Sequence, residues 1–254
     1  MAFALTIVKL EEAMKERGCP FCRLAYEAAI QSIDSFLWEN VNDPAARKPI
    51  NDAYGFCPAH TRMLVAKEMM SSGAMLGVNM IYELLAKNAS QDLKRLERGE
   101  KARRNTQSLM EKLGFGTDRG QNTAALEPKG RCPVCDLMDQ AAKNTLSTLF
   151  EELSTQQVTI YETYQLSSGV CLKHLKVGLE CFGQQYPHSG DFLIRETIQR
   201  LESQQAQMLE YIRKHNWSYR DEQLTQDEHS AWLRTLTFFT GLPPEKFTHQ
   251  MDEF

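Results

Sequence analysis

Nowhere in the 254-residue chain is there a run approaching the roughly 18 consecutive apolar residues that a membrane-spanning helix requires, which argues against a helical membrane protein. The segment Met1 to Leu10 lacks a basic n-region, a long apolar core and a small-residue cleavage site, and it turns charged at Glu11 and Glu12. Cytoplasmic localisation is therefore expected, in a reducing medium where paired cysteines bind metal or do redox chemistry more readily than they form structural disulfides. An excess of basic residues is also missing. The formal charge is −4, which argues against a nucleic-acid binder relying on overall basicity.

The familiar catalytic signatures are absent as well. There is no Gly-rich phosphate loop, no GxSxG elbow, no HExxH motif and no CxxCH haem-attachment sequence. Asp227-Glu228-His229 brings three titratable groups together in sequence, but consecutive residues on a helix point in different directions. His188, His215, His229 and His249 show no ligand-like spacing with one another. No catalytic residue is identified. Strand-forming sequence is nearly lacking too: Val158-Thr159-Ile160-Tyr161 is the one run with clear β propensity, and it is too short to build a sheet.

What the chain does contain is a repeated constellation of cysteines. Cys19-Pro20-Phe21-Cys22 is followed by Gly55-Phe56-Cys57-Pro58-Ala59-His60, and Cys132-Pro133-Val134-Cys135 by Gly169-Val170-Cys171-Leu172-Lys173-His174. Each copy reads CPxC, a long insert, then Gly-apolar-Cys-x-x-His. A CxxC turn brings two sulfurs within reach of one ion, and Cys-x-x-His adds two more ligands from a distant stretch. The result is a Cys3His set suited to tetrahedral zinc. Four protein ligands leave no open position, which favours a structural over a catalytic metal. Helices starting at the ligand pairs would favour thiolate over thiol, and the preceding glycine would let the backbone turn tightly. Two zinc ions are expected, one per repeat: Cys19, Cys22, Cys57 and His60 in one site, Cys132, Cys135, Cys171 and His174 in the other. Iron–sulfur clusters at the same ligands are the alternative, since thiolates suit iron equally well. Thioredoxin-like redox chemistry lacks the βαβ context it requires. Cys181, outside the repeat, reads as a small buried hydrophobe.

Around these motifs the apolar spacing is helical. Tyr26, Ile30, Ile33, Leu37 and Val41 form one stripe, with Pro44 and Pro49 breaking the chain into a loop before Gly55. Met63, Met70, Ala74, Gly77, Ile81 and Leu84 form another. In the second half Leu146, Leu149, Phe150 and Leu153 share a face, as do Ile194, Ile198, Leu201, Met208 and Ile212, with a turn at Tyr186 to Gly190. Near the C-terminus Thr225 and Glu228 form a capping box, and Trp232, Leu233, Leu236 and Phe239 should bury one side of a helix. Gly241 and Pro243-Pro244 should end it. The reading is all-α, with two duplicated helical modules and a C-terminal extension. The expected divisions are 1–113, a linker at 114–130, a second module at 131–216 and the extension at 217–254.

At these residues the chain resembles an uncharacterised prokaryotic domain-of-unknown-function family with twin CPxC and GxCxxH motifs. Glu228-His229-Ser230-Ala231-Trp232 and Phe238-Phe239-Thr240-Gly241-Leu242-Pro243 resemble that family's tail. The resemblance carries the eight candidate ligands and no reaction. The leading expectation is a non-enzymatic metal-binding protein that presents a helical surface to a protein partner. An iron–sulfur or thiol-based redox protein or sensor is the alternative. A nucleic-acid adaptor using the cationic stretch Lys94 to Arg104 is weaker, because such runs usually just face water.

Overall fold

The computed structural model describes residues 2–71, 74–112, 123, 126–155, 158–219 and 221–241. Among these residues there are α-helices and short 3₁₀ and π segments but no strand. In chain order the helices are α1 (Ala2–Lys15), α2 (Pro20–Ser35), α3 (Pro44–Asp52), α4 (Pro58–Ser71), α5 (Leu76–Lys112), α6 (Pro133–Ser154), α7 (Val158–Leu166), α8 (Leu172–Phe182), α9 (Pro187–Lys214) and α10 (Gln226–Thr240). The β-prone run at Val158 opens α7. Ile160 and Tyr164, four residues apart, are both buried on it, so burial on one helical face overrides strand propensity.

The chain forms two compact units, Met1–Ala28 with Leu137–Phe254, and Ala29–Asp136. This division differs from the consecutive modules expected from the sequence. Much of the expected linker, 114–130, lies outside the described residues.

The core of the first unit is built from Leu10 and Met14 of α1, Phe21 of α2, Leu146, Leu149, Phe150 and Leu153 of α6, Ile160 and Tyr164 of α7, and Leu193 of α9. The predicted face of α6 is fully buried, and each such side chain contributes about 1.5–3 kcal/mol of transfer free energy. Close approach of α8 to α6 depends on Gly178: a Cβ there would stand 2.7 Å from a ring carbon of Phe150. The stripe expected on α9 is different. Ile194, Ile198 and Ile212 are exposed, and the helix buries Phe192, Leu193 and Thr197 instead. Pro187 occupies the first turn of α9, so Tyr186 to Gly190 is a helix start rather than a turn.

Helix α10 packs mainly along α9. Its capping box is present: Thr225 Oγ1 accepts from Glu228 N–H at 3.2 Å, and the Glu228 carboxylate accepts from Thr225 N–H at 2.9 Å. Gly241 ends the helix in the left-handed conformation, φ +72°. Pro243 and Pro244 lie outside the described residues. The expected buried face is corrected, because Trp232 is 50% and Phe239 60% exposed. The residues that bury are Ala231, Thr237 and Glu228, since polar anchors to α9 fix the roll of the helix. Lys214 Nζ lies 2.7 Å from Glu228, Arg234 donates to Gln207, and Thr235 donates to Gln204.

In the second unit the expected loop after Pro44 is the helix α3. Pro44 sits at its first turn, and the Asp43 side chain accepts from Ala45 N–H at 2.9 Å, a complete N-cap. The buried Glu68 carboxylate plays the same part for α5, accepting from Gly77 N–H at 2.6 Å and Val78 N–H at 2.8 Å. Leu64, Ile81 and Leu85 are buried, whereas Met70, expected in the stripe, is 86% exposed. Likewise α2 buries Phe21, Ala25, Ala29 and Ile33 at four-residue spacing, a face its two alanines hide from a reading based on large side chains.

Candidate metal centres

All eight predicted ligands gather into two Cys3His groups, but with the partners exchanged. Cys19, Cys22, Cys171 and His174 form one centre in the first unit, and Cys57, His60, Cys132 and Cys135 form the other in the second. The expectation of one ion within each repeat is therefore corrected. Each CPxC pair joins the Cys-x-x-His of the other sequence copy.

Local structure explains how each pair is presented. Both CPxC motifs open helices, α2 at Pro20 and α6 at Pro133, and both Cys-x-x-His motifs stand just before and in the first turn of α4 and α8. The carbonyls of Cys19, Cys57, Cys132 and Cys171 accept the first-turn bonds from Arg23, Thr61, Asp136 and Leu175. Each centre thus receives two helix N-termini, whose free N–H groups and dipoles favour negative sulfur.

The glycine two residues before each third cysteine makes the tight backbone turn that was expected. Gly55 has φ +99° and Gly169 φ +77°, values that L side chains adopt reluctantly. A Cβ on Gly169 would stand 3.2 Å from Nε of Arg200. That arginine fixes the approach to Cys171 by donating to the carbonyls of Tyr164, Gln165 and Ser167. Val170 N–H donates to the buried Tyr164 hydroxyl at 3.3 Å, and Gly18 N–H donates to Ser168 Oγ at 2.9 Å. The last bond ties the turn before Cys19 to the turn before Cys171. In the second unit, Gly55 N–H donates to Ile50 O at 2.8 Å, and Lys129 and Gly130 N–H groups both donate to Asp52 O, bringing the chain before Cys132 beside the end of α3.

The two centres have matching dimensions. In the first, His174 Nδ1 lies 3.5, 3.3 and 3.3 Å from the sulfurs of Cys19, Cys22 and Cys171, and Cys22 and Cys171 sulfurs are 3.7 Å apart. In the second, His60 Nδ1 lies 3.2, 3.4 and 3.4 Å from Cys57, Cys132 and Cys135, and Cys57 and Cys135 sulfurs are again 3.7 Å apart. Tetrahedral geometry with Zn–S near ~2.3 Å and Zn–N near ~2.0 Å separates sulfurs by about 3.8 Å and sulfur from nitrogen by about 3.5 Å. The donor sets fit one such ion each. A disulfide, with S–S near ~2.05 Å, does not describe these contacts.

In each cluster the Cys-x-x-His cysteine is the one whose thiol is shifted downward. Hydrogen bonds from the Cys19 and Cys22 thiols pull the Cys171 thiol well below its usual range, against the effect of burial. Those same bonds raise Cys22, while burial pushes Cys19 up to about 12. At Cys57 burial works upward, but backbone N–H groups of His60 and Ala59 and the Cys135 and Cys132 thiols outweigh it, and the net shift is downward. Burial, then the neighbouring Cys57, pushes Cys135 up to about 12, and burial lowers His60. A dication binding here displaces the remaining protons.

Burial separates the centres. Cys19, Cys171 and His174 are at most 4% exposed and only Cys22 is half-buried, whereas Cys57 and Cys135 are both half-buried and Cys132 is 9% exposed. Cys181 lies on α8 outside both groups and is exposed rather than buried. His215 bonds the Tyr211 carbonyl and stacks on its ring, and His229 meets the same ring edge-on. His249 lies outside the described residues. Of the cationic stretch, Lys94, Arg95 and Arg98 are exposed on α5 and Arg95 pairs with Asp92, while the side chains of Lys101, Arg103 and Arg104 lie outside the described residues.

Fold and site together define an all-helical protein with two possible metal-binding Cys3His groups. Residues 1–246 match the family of unknown function DUF6062, and the chain belongs to it. It is also similar, at 25% identity over 236 residues, to an uncharacterized 23.9 kDa protein in the xynA 3′ region of Caldicellulosiruptor sp. (strain Rt8B.4). The alignment covers 91% of this chain and 98% of that one. No solved structure matches. No described helix is long and apolar enough to cross a membrane.

Proposed function

We propose that this is a non-enzymatic zinc protein in which two closed Cys3His sites hold a helical scaffold that presents a surface to a protein partner. The carrying observation is the spacing of the ligand atoms, 3.2–3.5 Å for sulfur to nitrogen and 3.7 Å for sulfur to sulfur. That spacing suits one tetrahedral ion. In a multi-iron cluster the ligands sit on different irons and spread further apart, so the same spacing supports zinc over a cluster. Four protein ligands fill the coordination shell and leave no position for a reacting water. Each site joins cysteines from distant parts of the chain, so its apparent binding energy, about 10–16 kcal/mol in small zinc peptides, acts as folding energy. Exposed Ile194, Ile198, Leu209 and Ile212, spaced along one side of α9, support a partner-binding role.

Elemental analysis and an absorption spectrum of anaerobically purified protein test the reading. Two zinc per chain in colourless protein is expected. Brown protein absorbing near ~400 nm, with iron and acid-labile sulfide, overturns it in favour of a cluster protein.

A further inference from the structure

The end of α10 lies against the sulfurs of the first centre. A Cβ built on Gly241 would stand 2.7 Å from Cys22 Sγ and 3.3 Å from Cys171 Sγ. Real Cβ atoms essentially never approach another heavy atom as closely as the first distance. A flexible side chain would swing away, but a sulfur held by an ion is pinned on both sides. Gly241 itself is buried, its N–H is spent on Thr237 O at 2.8 Å, and its φ of +72° closes the helix directly over the site.

We infer that α10 is a seal on the Cys19–Cys22–Cys171–His174 centre, that Gly241 is the residue through which it closes, and that the Cys57–His60–Cys132–Cys135 centre is the one whose metal exchanges. The inference rests on the zinc reading above. Burial agrees with it: the first centre has one half-buried ligand, Cys22, and three at most 4% exposed, while the second has two half-buried sulfurs and its buried ligands, His60 and Cys132, are 6% and 9% exposed. The seal is held at a distance from the metal by the Thr225–Glu228 capping box and the Lys214–Glu228 ion pair, at the opposite end of α10. Excluding water and competing ligands from a metal by such a cover slows its release without altering the ligands. The two ions then have different parts: one is a lasting staple, and the other exchanges with the surrounding metal supply.

Zinc release from the full-length protein loaded with two equivalents tests this, with 4-(2-pyridylazo)resorcinol as the chelating probe. Two phases of one equivalent each are expected, and Cys135→Ser should retain only the slow one. Gly241→Ala should speed the slow phase by about 10–100-fold, on the scale by which disturbed outer-shell partners weaken metal affinity, and leave the fast phase alone. Because alanine also strains a left-handed backbone, Gly241→Asn is the companion: asparagine tolerates that conformation but carries a Cβ, so it should accelerate release as alanine does. Thr225→Ala, which touches no ligand, should accelerate the slow phase to a smaller degree by loosening the helix. Slow release restored in Gly241→Asn, or a single phase of two equivalents in the unaltered protein, overturns the seal while leaving the zinc reading intact. A protein that takes up no zinc overturns both.

Discussion

Cys22 and Cys171 stand 149 positions apart in the chain, yet their sulfurs are 3.7 Å from one another. The exchange makes each compact unit depend on both copies of the motif. A centre of this kind closes a long loop, and it restricts the unfolded chain more than a local clip would.

The pairing predicts a pattern in metal content. Cys22→Ser and Cys171→Ser should each remove one equivalent of zinc, and the double variant should still remove only one. Cys22→Ser combined with Cys57→Ser should remove both. Pairing within each repeat predicts the reverse for the two double variants, so elemental analysis of the four proteins decides between them.

Loss of one ion should also have a defined footprint. Cys57→Ser should lower amide-exchange protection around Ile50 to Leu64 and near Cys132, where the second centre joins α3, α4 and the start of α6. The amides of Leu149, Leu153 and Tyr164 in the first unit's core should stay protected. Replacing the exposed Cys181 should leave zinc content unchanged.

The junction of α9 with α10 should weaken in acid. Hydrogen bonding from Lys214, then from the Thr225 backbone, holds the Glu228 carboxyl below its usual range. A carboxyl whose folded pKa lies below its unfolded value of about 4.3 stabilises fully above that value, and the effect is lost as pH falls through the folded pKa. The difference in melting temperature between the unaltered protein and Glu228→Gln should therefore be largest near neutrality and shrink below about pH 4. Taking the difference cancels acid-driven zinc loss common to both.

On α10 the sensitive position should be Ala231 rather than Trp232. Ala231 is fully buried, so Ala231→Leu overpacks and should cost about 1–3 kcal/mol. Trp232 is 50% exposed, and Trp232→Ala should change stability by less than about 1 kcal/mol. Chemical denaturation of the zinc-loaded variants measures both.

By itself the sequence determined the residue types and the local geometry: eight candidate ligands, helices opening at Pro20, Pro58 and Pro133, tight turns at Gly55 and Gly169, and the Thr225–Glu228 cap. Each of these depends on chemistry within a few residues, which spacing records directly. The α6 face at Leu146 to Leu153 was legible for the same reason, because large apolar side chains at helical spacing have one way to bury. Tertiary structure decided the rest. Two equivalent CPxC pairs and two equivalent Cys-x-x-His pairs allow either pairing, and nothing local distinguishes them. The choice lies in long-range contacts such as Gly18 with Ser168 and Lys129 with Asp52. Which side of α9 and α10 turns inward was likewise set across helices, by the Lys214–Glu228 and Arg234–Gln207 bonds, and so Ile194 and Trp232 face outward despite their apolar surface.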